Sequence, residues 1–189
     1  MLDGILIQCR TSQKALFKLS ITQRNQCLKN IADALANSIS YILQENEKDV
    51  QYARENQMSE AFIERLSLTK DKIQGMIAGV QNVISLDEVI GNVIEEIRRP
   101  NGLVIKKELV PFGVIAVIFE SRPNVCVDIA TLCLKTANAC VLKGGKEAIH
   151  TNRALVHIMK QAIEDITDSN CLTSVSYTHL RAHETLSDL

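Results

Sequence analysis

The sequence has no tryptophan, only three prolines and no long apolar run, and its charges nearly cancel. The longest uninterrupted apolar segment is too short to span a bilayer. The first residues, MLDGILIQCRTSQ, lack the basic region and the cleavage site of a secretory signal. A formal net charge of −1 gives no reason to expect nucleic acid or an acidic membrane surface as a partner. We therefore predict a cytoplasmic protein without nucleic-acid or membrane partners.

The cysteines lack the spacing of any common cysteine site. There are six, with no CxxC pair and no metal-finger spacing: Cys9, Cys27, Cys126, Cys133, Cys140 and Cys171. We predict small buried side chains that stay reduced, rather than disulfides, metal ligands or a catalytic nucleophile. The spacings His150–His157 and His179–His183 suit helix faces, but no third ligand accompanies either pair, so no metal site is predicted.

A strand–helix–strand unit is predicted between residues 113 and 166. Residues 114–119 form a continuous apolar run, typical of a strand buried on both faces. Pro123 suits the first position of a helix. The predicted apolar stripe of that helix consists of Val125, Ile129, Leu132 and Cys133. A second strand at residues 139–142 and a helix from residue 151 to about residue 166 follow. This order predicts parallel strands with a right-handed crossover.

Two polar loops follow these strands at the edge where open α/β sheets bind ligands. The first loop consists of Glu120, Ser121 and Arg122, and the second of Lys143, Gly144, Gly145 and Lys146. Glycines let backbone N–H groups approach a phosphate, and the next helix presents its positive end. The sequence has no GxGxxG, so an ordinary Rossmann fingerprint is excluded. The loops therefore favour a nucleotide phosphate without specifying which nucleotide.

The chain before this unit is predicted to be helical from about residue 12 to residue 86. Thr22, Ser59 and Thr69 are the predicted caps, and residues 57–59 a break. Apolar residues recur at helical spacing, as in Cys27, Leu28, Ile31 and Leu35, and in Ile73, Ile77, Val80 and Ile84. The other faces carry many charges. We interpret the region as scaffold that covers one side of the sheet.

A basic β-hairpin is predicted at residues 93–110. Two apolar segments flank Pro100-Asn101-Gly102, and Asn-Gly is a strong hairpin signal. The basic residues are Arg98, Arg99, Lys106 and Lys107. They suit either a sheet edge protected by charge or a surface that attracts anions, and the sequence leaves both open.

Two segments, VPFGVIAVIFESRPNV and DIATLCLKTANACVLKGGKEAIHTN, closely resemble the γ-glutamyl phosphate reductase family, a branch of the aldehyde dehydrogenase superfamily. The resemblance is less dense towards the N-terminus and ends near Asn170. Ala137 departs from the family pattern, which usually has glycine before Asn138. The resemblance implies an aldehyde-dehydrogenase-like α/β fold with N-terminal helices, a partial parallel Rossmann-like sheet and a β-hairpin arm used in subunit association. A homo-oligomer is therefore expected.

The resemblance also divides the chain. Residues 1–172 are expected to form a partial NADP-binding domain, with helices at 12–86, the hairpin arm at 93–110 and a βαβ core at 113–166. The remaining residues, 173–189, read TSVSYTHLRAHETLSDL and resemble nothing in the family. We interpret them as a foreign tail and exclude them from functional reasoning.

Members of the family reduce L-glutamyl 5-phosphate with NADPH to glutamate 5-semialdehyde and phosphate, in proline biosynthesis. A cysteine thiolate displaces phosphate to form a thioester, which hydride from the nicotinamide then reduces. Relatives carry this cysteine in a later domain. The resemblance therefore implies no catalytic residue within this chain, and we expect no reductase activity from these residues alone.

The resemblance implies that the Lys143 side chain points towards the adenosine ribose of the cofactor. Lys143 and Lys146 together suit the doubly charged 2′-phosphate of NADP, although Lys146 on a solvated loop is a serious alternative. The other expected cofactor-binding residues are Glu120, Ser121, Gly144 and Gly145. Glu147 is expected to stabilise the first turn of its helix through the helix dipole.

Arg122 and Asn124 flank Pro123 where relatives place the loop that faces the reaction centre. Arg122 is expected to bind the phosphate or carboxylate of the substrate through a bidentate pair. Asn124 could assist the oxyanion. The alternatives are an Arg122–Glu120 ion pair and an asparagine that orders the start of the helix.

Two other functions fit the same residues. One is another aldehyde or acyl-CoA reductase of the same fold, distinguished by the acyl donor that it accepts. The other is a non-catalytic helical interaction module that uses the basic hairpin as its contact surface. Dinucleotide binding by the βαβ core would argue against that module.

Overall fold

The computed structural model describes residues 2–175, and Leu2 without its side chain. The helices are α1 (Leu2–Phe17), α2 (Ile21–Asn37), α3 (Ile39–Glu55), α4 (Glu60–Leu66), α5 (Lys70–Ser85), α6 (Pro123–Lys135) and α7 (Ile149–Ile163). The strands are β1 (Val93–Arg98), β2 (Val104–Glu108), β3 (Val114–Ile118), β4 (Ala139–Lys143) and β5 (Leu172–Ser174). Short 3-10 turns at Lys146–Ala148 and Ser169–Cys171 precede α7 and β5. The α/β class predicted from the sequence is confirmed.

Local hydrogen bonds decide where the N-terminal helices begin. Ser20 caps α2: its hydroxyl accepts from the Gln23 N–H at 3.2 Å, and its own N–H donates to Gln23 Oε1 at 2.9 Å. The cap predicted at Thr22 is therefore wrong, because only Ser20 has a glutamine three residues later to complete the capping box. Ser59 and Thr69 cap α4 and α5 as predicted. The first helix begins at Leu2, well before the predicted start near residue 12.

The core sheet is parallel, with the order β3-β4-β5. Val114 pairs with Ala139 and Ile118 with Lys143, whereas Cys140 pairs with Leu172. The central strand, β4, is buried along nearly its whole length. In contrast, β3 lies at the edge of the sheet that residues 2–175 form, and its residues are half-buried or exposed, so the prediction that it is buried on both faces is wrong for this chain. Its apolar residues still pack on the core from one side, which explains the strong strand signal.

The α6 helix lies against β4 and also contacts α2, α5 and α7. Its buried apolar residues are Cys126, Val127, Ala130, Cys133 and Leu134. Of the predicted stripe, Cys133 is buried and Val125 and Ile129 are half-buried, whereas Leu132 is exposed, so the prediction is wrong for Leu132. Several elements enclose α6, and a helix that is apolar over most of its surface has no sharp face in sequence.

The chain turns from α6 into β4 through a left-handed residue. Ala137 is buried and has φ +53°, a region in which glycine is favoured over alanine. The Ala137 N–H donates to the Leu134 carbonyl at 3.1 Å, and the Asn138 N–H to the Cys133 carbonyl at 2.8 Å. These two bonds form a Schellman motif. The glycine that the resemblance leads us to expect at this position would adopt such an angle without strain.

The predicted hairpin is confirmed as an antiparallel pair, in which Ile97 faces Ile105. All residues of β1 and β2 are exposed. Gly102 has φ +85°, which explains the glycine in the turn. Arg98 pairs with Glu96 at 2.8 Å, so the basic residues are partly neutralised within the hairpin. Its role in subunit association stays a prediction.

The described fold continues slightly past residue 172. Thr173 and Ser174 belong to β5, and Val175 is buried and donates its N–H to the Leu142 carbonyl at 2.9 Å. The predicted boundary at residue 172 therefore falls inside a strand. His179, His183 and the rest of the predicted tail lie outside the described residues. Within residues 2–175, no helix is both long enough and apolar enough to cross a membrane.

Candidate cofactor cleft

The loops after β3 and β4 meet at one edge of the sheet. The Phe119 N–H donates to the Lys143 carbonyl at 3.0 Å, which continues the strand pairing to the start of both loops. Beyond it, the Ser121 hydroxyl donates to Glu147 Oε2 at 3.2 Å. Parallel strands bring their carboxyl ends together, so Arg122 and Lys143 share this edge.

The two glycines of the second loop are needed for space rather than for an unusual backbone angle. A methyl group on Gly144 would lie 2.2 Å from Asn152 Nδ2 and 3.2 Å from the Phe119 ring. On Gly145 it would lie 2.6 Å from the Ser121 hydroxyl and 2.8 Å from Glu147 Oε2. Any larger residue at either position would therefore displace a neighbouring polar side chain.

A small cleft lies between this loop and the first turns of α7. Its volume is about 40 Å³, and its lining includes Phe119, Lys143, Gly144 and Asn152. The Lys143 ammonium group donates to the Gly144 carbonyl at 3.1 Å, and both residues line the cleft. Such a volume is enough for a small polar group or for bound water.

The other predicted cofactor residues differ in what they contact. Ser121 is buried, and its hydroxyl joins the two loops through Glu147. The second loop ends in Lys146, which is exposed, as is Glu120 on the first loop. Glu147 lies in the 3-10 turn before α7, near its N-terminus. The structure thus gives Ser121 and Glu147 a shared structural contact and leaves Lys146 accessible.

The predicted substrate residues lie at the start of α6. Pro123 is the first residue of this helix, as predicted, and Arg122 precedes it with an exposed side chain. The predicted alternative of an Arg122–Glu120 ion pair is not among the ion pairs of residues 2–175. Asn124 donates to Asp128 Oδ2 at 3.2 Å, one turn along the helix. This bond matches the alternative in which Asn124 orders the helix start.

A second, larger cleft includes Asn124 in its lining, and no pattern in the sequence predicted it. Its volume is about 360 Å³, and it includes Arg65, Lys72 and Asp128 in its lining. Burial raises the pKa of Asp128, and the hydrogen bond from Asn124 partly offsets this. The Lys72 ammonium group donates to the Glu64 and Ser67 carbonyls at 2.8 and 2.7 Å. No local motif marks these residues, because they come from α4, α5 and α6.

The first turn of α7 is held by a carboxylate that no pattern in the sequence predicted. Asp49, on α3, accepts hydrogen bonds from the His150 N–H at 3.1 Å, the Thr151 N–H at 2.8 Å and the Thr151 hydroxyl at 2.6 Å. Asn46 donates to the same hydroxyl at 3.1 Å. No side chain of α7 itself caps this helix. The scaffold helix α3 therefore positions the helix that lines the cleft.

All six cysteines are buried and unpaired, as predicted. Burial raises the pKa of Cys27 to about 11 and those of Cys126 and Cys171 to about 12. The pKa of Cys140 is raised by its hydrogen bond with Cys133 and by burial, whereas the same hydrogen bond lowers the pKa of Cys133. Thiols with a raised pKa are not nucleophiles at neutral pH, and Cys133 is buried. Among residues 2–175, no group of three or more His, Cys, Asp or Glu side chains could hold a metal ion.

Comparison with solved structures defines the class of protein. An aldehyde dehydrogenase of Bacillus subtilis, described as putative, superposes with a TM-score of 0.66 over 92% of this chain and 36% of its own, at 17% identity. An acetylating aldehyde dehydrogenase from Geobacillus thermoglucosidasius also has a TM-score of 0.66, over 92% of this chain and 36% of its own, at 15% identity. The described residues thus have the aldehyde dehydrogenase fold.

Closer relatives identify one branch of that class. Gamma-glutamyl phosphate reductase from Thermotoga maritima superposes with a TM-score of 0.90 at 32% identity, over 92% of this chain and 42% of its own. A curated protein of the same name from Geobacillus sp. strain WCH70 is 48% identical over 158 residues, which are 84% of this chain and 38% of that protein. No family model matches the sequence.

The resemblance predicted from the sequence is therefore confirmed: the chain is homologous to part of the γ-glutamyl phosphate reductases. It spans about two fifths of the length of the curated relatives that it matches.

Proposed function

We propose that this chain is part of a γ-glutamyl phosphate reductase and supplies the adenosine side of its NADP site. The enzyme would reduce L-glutamyl 5-phosphate to L-glutamate 5-semialdehyde in proline biosynthesis. The observation that carries the proposal is the common sheet edge, where the diglycine loop with Lys143 meets the loop with Arg122. The names of the relatives support the substrate class, and the fold supports a nicotinamide cofactor.

The residues of the cleft fit a nucleotide. Gly144 and Gly145 leave no room for side chains, so the loop backbone can approach a phosphate closely. Lys143 supplies a cation in the lining of the cleft, and Lys146 supplies a second one that is exposed. When bound, the cofactor would supply a hydride, and the residues of this chain would bind and orient its adenosine end.

The phosphate role of the two lysines can be tested by binding to this chain. Replacing Lys143 or Lys146 with alanine is expected to weaken the binding of NADPH by roughly tenfold, as for the loss of one charge-assisted hydrogen bond. The binding of NADH should weaken by much less. Isothermal titration calorimetry would measure both ligands, with exposed Lys107→Ala in the hairpin as the matched control. Equal losses for NADPH and NADH would contradict a 2′-phosphate contact.

Arg122 is the proposed anchor for the substrate, and Asn124, whose amide also donates to Asp128, is the proposed second donor, to the oxyanion. Arg122 is exposed, with no ion pair to any residue between 2 and 175. It is thus available for a bidentate pair with a phosphate or carboxylate. In the complete reductase, Arg122→Lys is expected to raise KM for the acyl phosphate about tenfold, with little change in KM for NADPH. Unchanged KM and kcat would remove this assignment.

The catalytic thiol is proposed to lie outside this chain. All six cysteines here are buried, which supports that view. Purified on its own, the chain should show no NADPH oxidation with the acyl phosphate, and measurable turnover would contradict the proposal. A homo-oligomer and a cytoplasmic location stay predictions of the resemblance and of the sequence.

A further inference from the structure

Asp128 carries a carboxylate that has no cationic partner among residues 2–175. It lies on α6 and is half-buried, and its Oδ2 accepts a hydrogen bond from Asn124 at 3.2 Å. A methyl group at Gly79 on α5 would stand 3.7 Å from Oδ1, so the carboxylate lies between the two helices. None of the ion pairs formed within residues 2–175 involves Asp128, and burial raises its pKa. A nearby cation stabilises a half-buried carboxylate, so a ligand with an ammonium group would supply what those residues do not.

Arg65 on α4 lines the same cleft as Asp128, and most of its guanidinium group has no partner within residues 2–175. Its Nε donates to the Ala61 carbonyl of its own helix at 3.0 Å, whereas its two terminal nitrogens form no hydrogen bond or ion pair with those residues. Lys72 lines the cleft from α5, and two carbonyls at the end of α4 hold its ammonium group. The lining thus contains one carboxylate and two cations that do not neutralise it.

The size and the charges of this cleft fit an amino acid. Ligand sites in proteins commonly have volumes of roughly 300–1,000 Å³, and this cleft has about 360 Å³. An α-amino acid carries an ammonium group and a carboxylate on one carbon atom. Asp128 can pair with the ammonium group, and Arg65 can pair with the carboxylate through its free N–H donors. A simple aliphatic acyl group offers neither charge, so it would leave both side chains unpaired.

The α6 helix connects this cleft to the proposed anchor of the substrate. Arg122 directly precedes the helix, and Asn124, in its first turn, also lines the cleft. With a rise of about 1.5 Å per residue, Arg122 and Asp128 lie about 9 Å apart along the helix axis. A five-carbon amino acid with a phosphate on its far carboxyl group can bridge two side chains at such a separation. Arg122 would then hold the phosphate of the substrate rather than its carboxylate.

We propose that this cleft binds the α-amino-acid end of the substrate, with Asp128 on the ammonium group and Arg65 on the α-carboxylate. The inference rests on the proposed function and names the part of the substrate that the enzyme recognises. Both side chains are specificity-determining residues, because they bind the end of the substrate opposite the acyl phosphate. Acyl phosphates without the amino-acid group are disfavoured, since they leave both charges unpaired.

Three stable phosphonates separate the two contacts. L-2-Amino-6-phosphonohexanoate has both charged groups, 6-phosphonohexanoate lacks the ammonium group, and 5-aminopentylphosphonate lacks the carboxylate. Calorimetry on the complete reductase is expected to show that the loss of either group weakens binding by about tenfold, as for one charge-assisted hydrogen bond. Wild-type affinities for the three ligands that agree within about twofold overturn the inference.

Two variants should change the affinities for different ligands. Asp128→Asn should reduce the preference for the ammonium group to about threefold or less and keep the preference for the carboxylate. Arg65→Gln should reduce the preference for the carboxylate and keep that for the ammonium group. Unchanged preferences, or equal weakening of all three ligands, overturn the inference. Should Asp128→Asn not fold, Arg65→Gln still decides the matter, because Arg65 is exposed.

The matched control is Asp71→Asn, because Asp71 is an exposed carboxylate on α5 that does not line the cleft. This variant should keep both preferences, and the loss of either one would contradict a contact confined to the cleft. NADPH oxidation with L-glutamyl 5-phosphate judges the proposed function separately. If the complete protein does not catalyse this reaction, both the proposed function and the inference fail. If it does, but the wild type ignores the ammonium group and the carboxylate, only the inference fails.

Discussion

Replacing Asp49 with alanine should destabilise this protein more than any surface change, although Asp49 lies far in sequence from the helix that it caps. Asp49 is buried on α3 and accepts three hydrogen bonds from His150 and Thr151 at the start of α7. Two of the donors are backbone N–H groups that an α-helix leaves unpaired at its N-terminus. Alanine would leave them without a partner in a place that water reaches poorly.

The magnitude follows from the bonds that are lost. Removing a side-chain cap costs about 0.5–2 kcal/mol. A hydrogen bond to a charged group contributes about 1.5–3 kcal/mol, and the burial of the carboxylate itself offsets part of this. We therefore expect Asp49→Ala to lower the free energy of unfolding by about 3 kcal/mol. In a domain of this size that corresponds to a fall in Tm of about 6–12 °C.

Urea unfolding followed by circular dichroism would measure this change. Glu47→Ala is the matched control, because Glu47 lies on the same helix with an exposed side chain and pairs with Arg54 only at 3.6 Å. It should change stability by less than about 0.5 kcal/mol. Asp49→Asn keeps one acceptor oxygen, so its loss of stability should lie between those of Asp49→Ala and Glu47→Ala. A loss below about 1 kcal/mol for Asp49→Ala would refute the capping argument.

The remaining predictions concern other parts of the fold. Ala137→Gly should change the free energy of unfolding by less than about 1 kcal/mol. Relief of the left-handed angle gains about 1–2 kcal/mol, and the loss of a buried methyl costs about 0.8 kcal/mol. Ala137→Val should be clearly destabilising, and a valine variant more stable than the wild type would contradict this. A thiol reagent such as DTNB at pH 7.5 should leave the six buried cysteines unmodified in the native protein and label all six in guanidinium; rapid native labelling would show that a thiol is accessible. Partial burial raises the pKa of Asp168, but hydrogen bonds from Ser12 and Asn170 outweigh it, so the net pKa is lower than usual. Its contribution to stability is present above the unfolded pKa of about 3.9 and is lost as pH falls through the lower folded value. In Asp168→Asn, the free energy of unfolding should therefore decrease less steeply below about pH 4 than in the wild type. The same pH dependence in both proteins would argue against that role.

Local chemistry in the sequence was enough to identify many elements. Ser59 and Thr69 cap their helices, Pro123 opens α6 and Asn101-Gly102 turns the hairpin, since each of these residues acts on its own backbone. The parallel sheet followed from the same kind of signal, because short apolar strands that alternate with helices have few ways to pack. The two loops at one sheet edge are a consequence of that topology.

Tertiary structure decided the rest, because it depends on which elements become neighbours. The run in β3 is as apolar as a central strand, yet β3 lies at the edge of the described sheet. Asp49 caps α7, about a hundred residues further along the chain, and no local pattern predicts such a contact. Asn152 comes to lie beside Gly144 only through the packing of α7 on the loop after β4, and no spacing in the sequence predicts that contact. The sequence alone thus determined the elements and their order, whereas packing determined which side chains face the cleft.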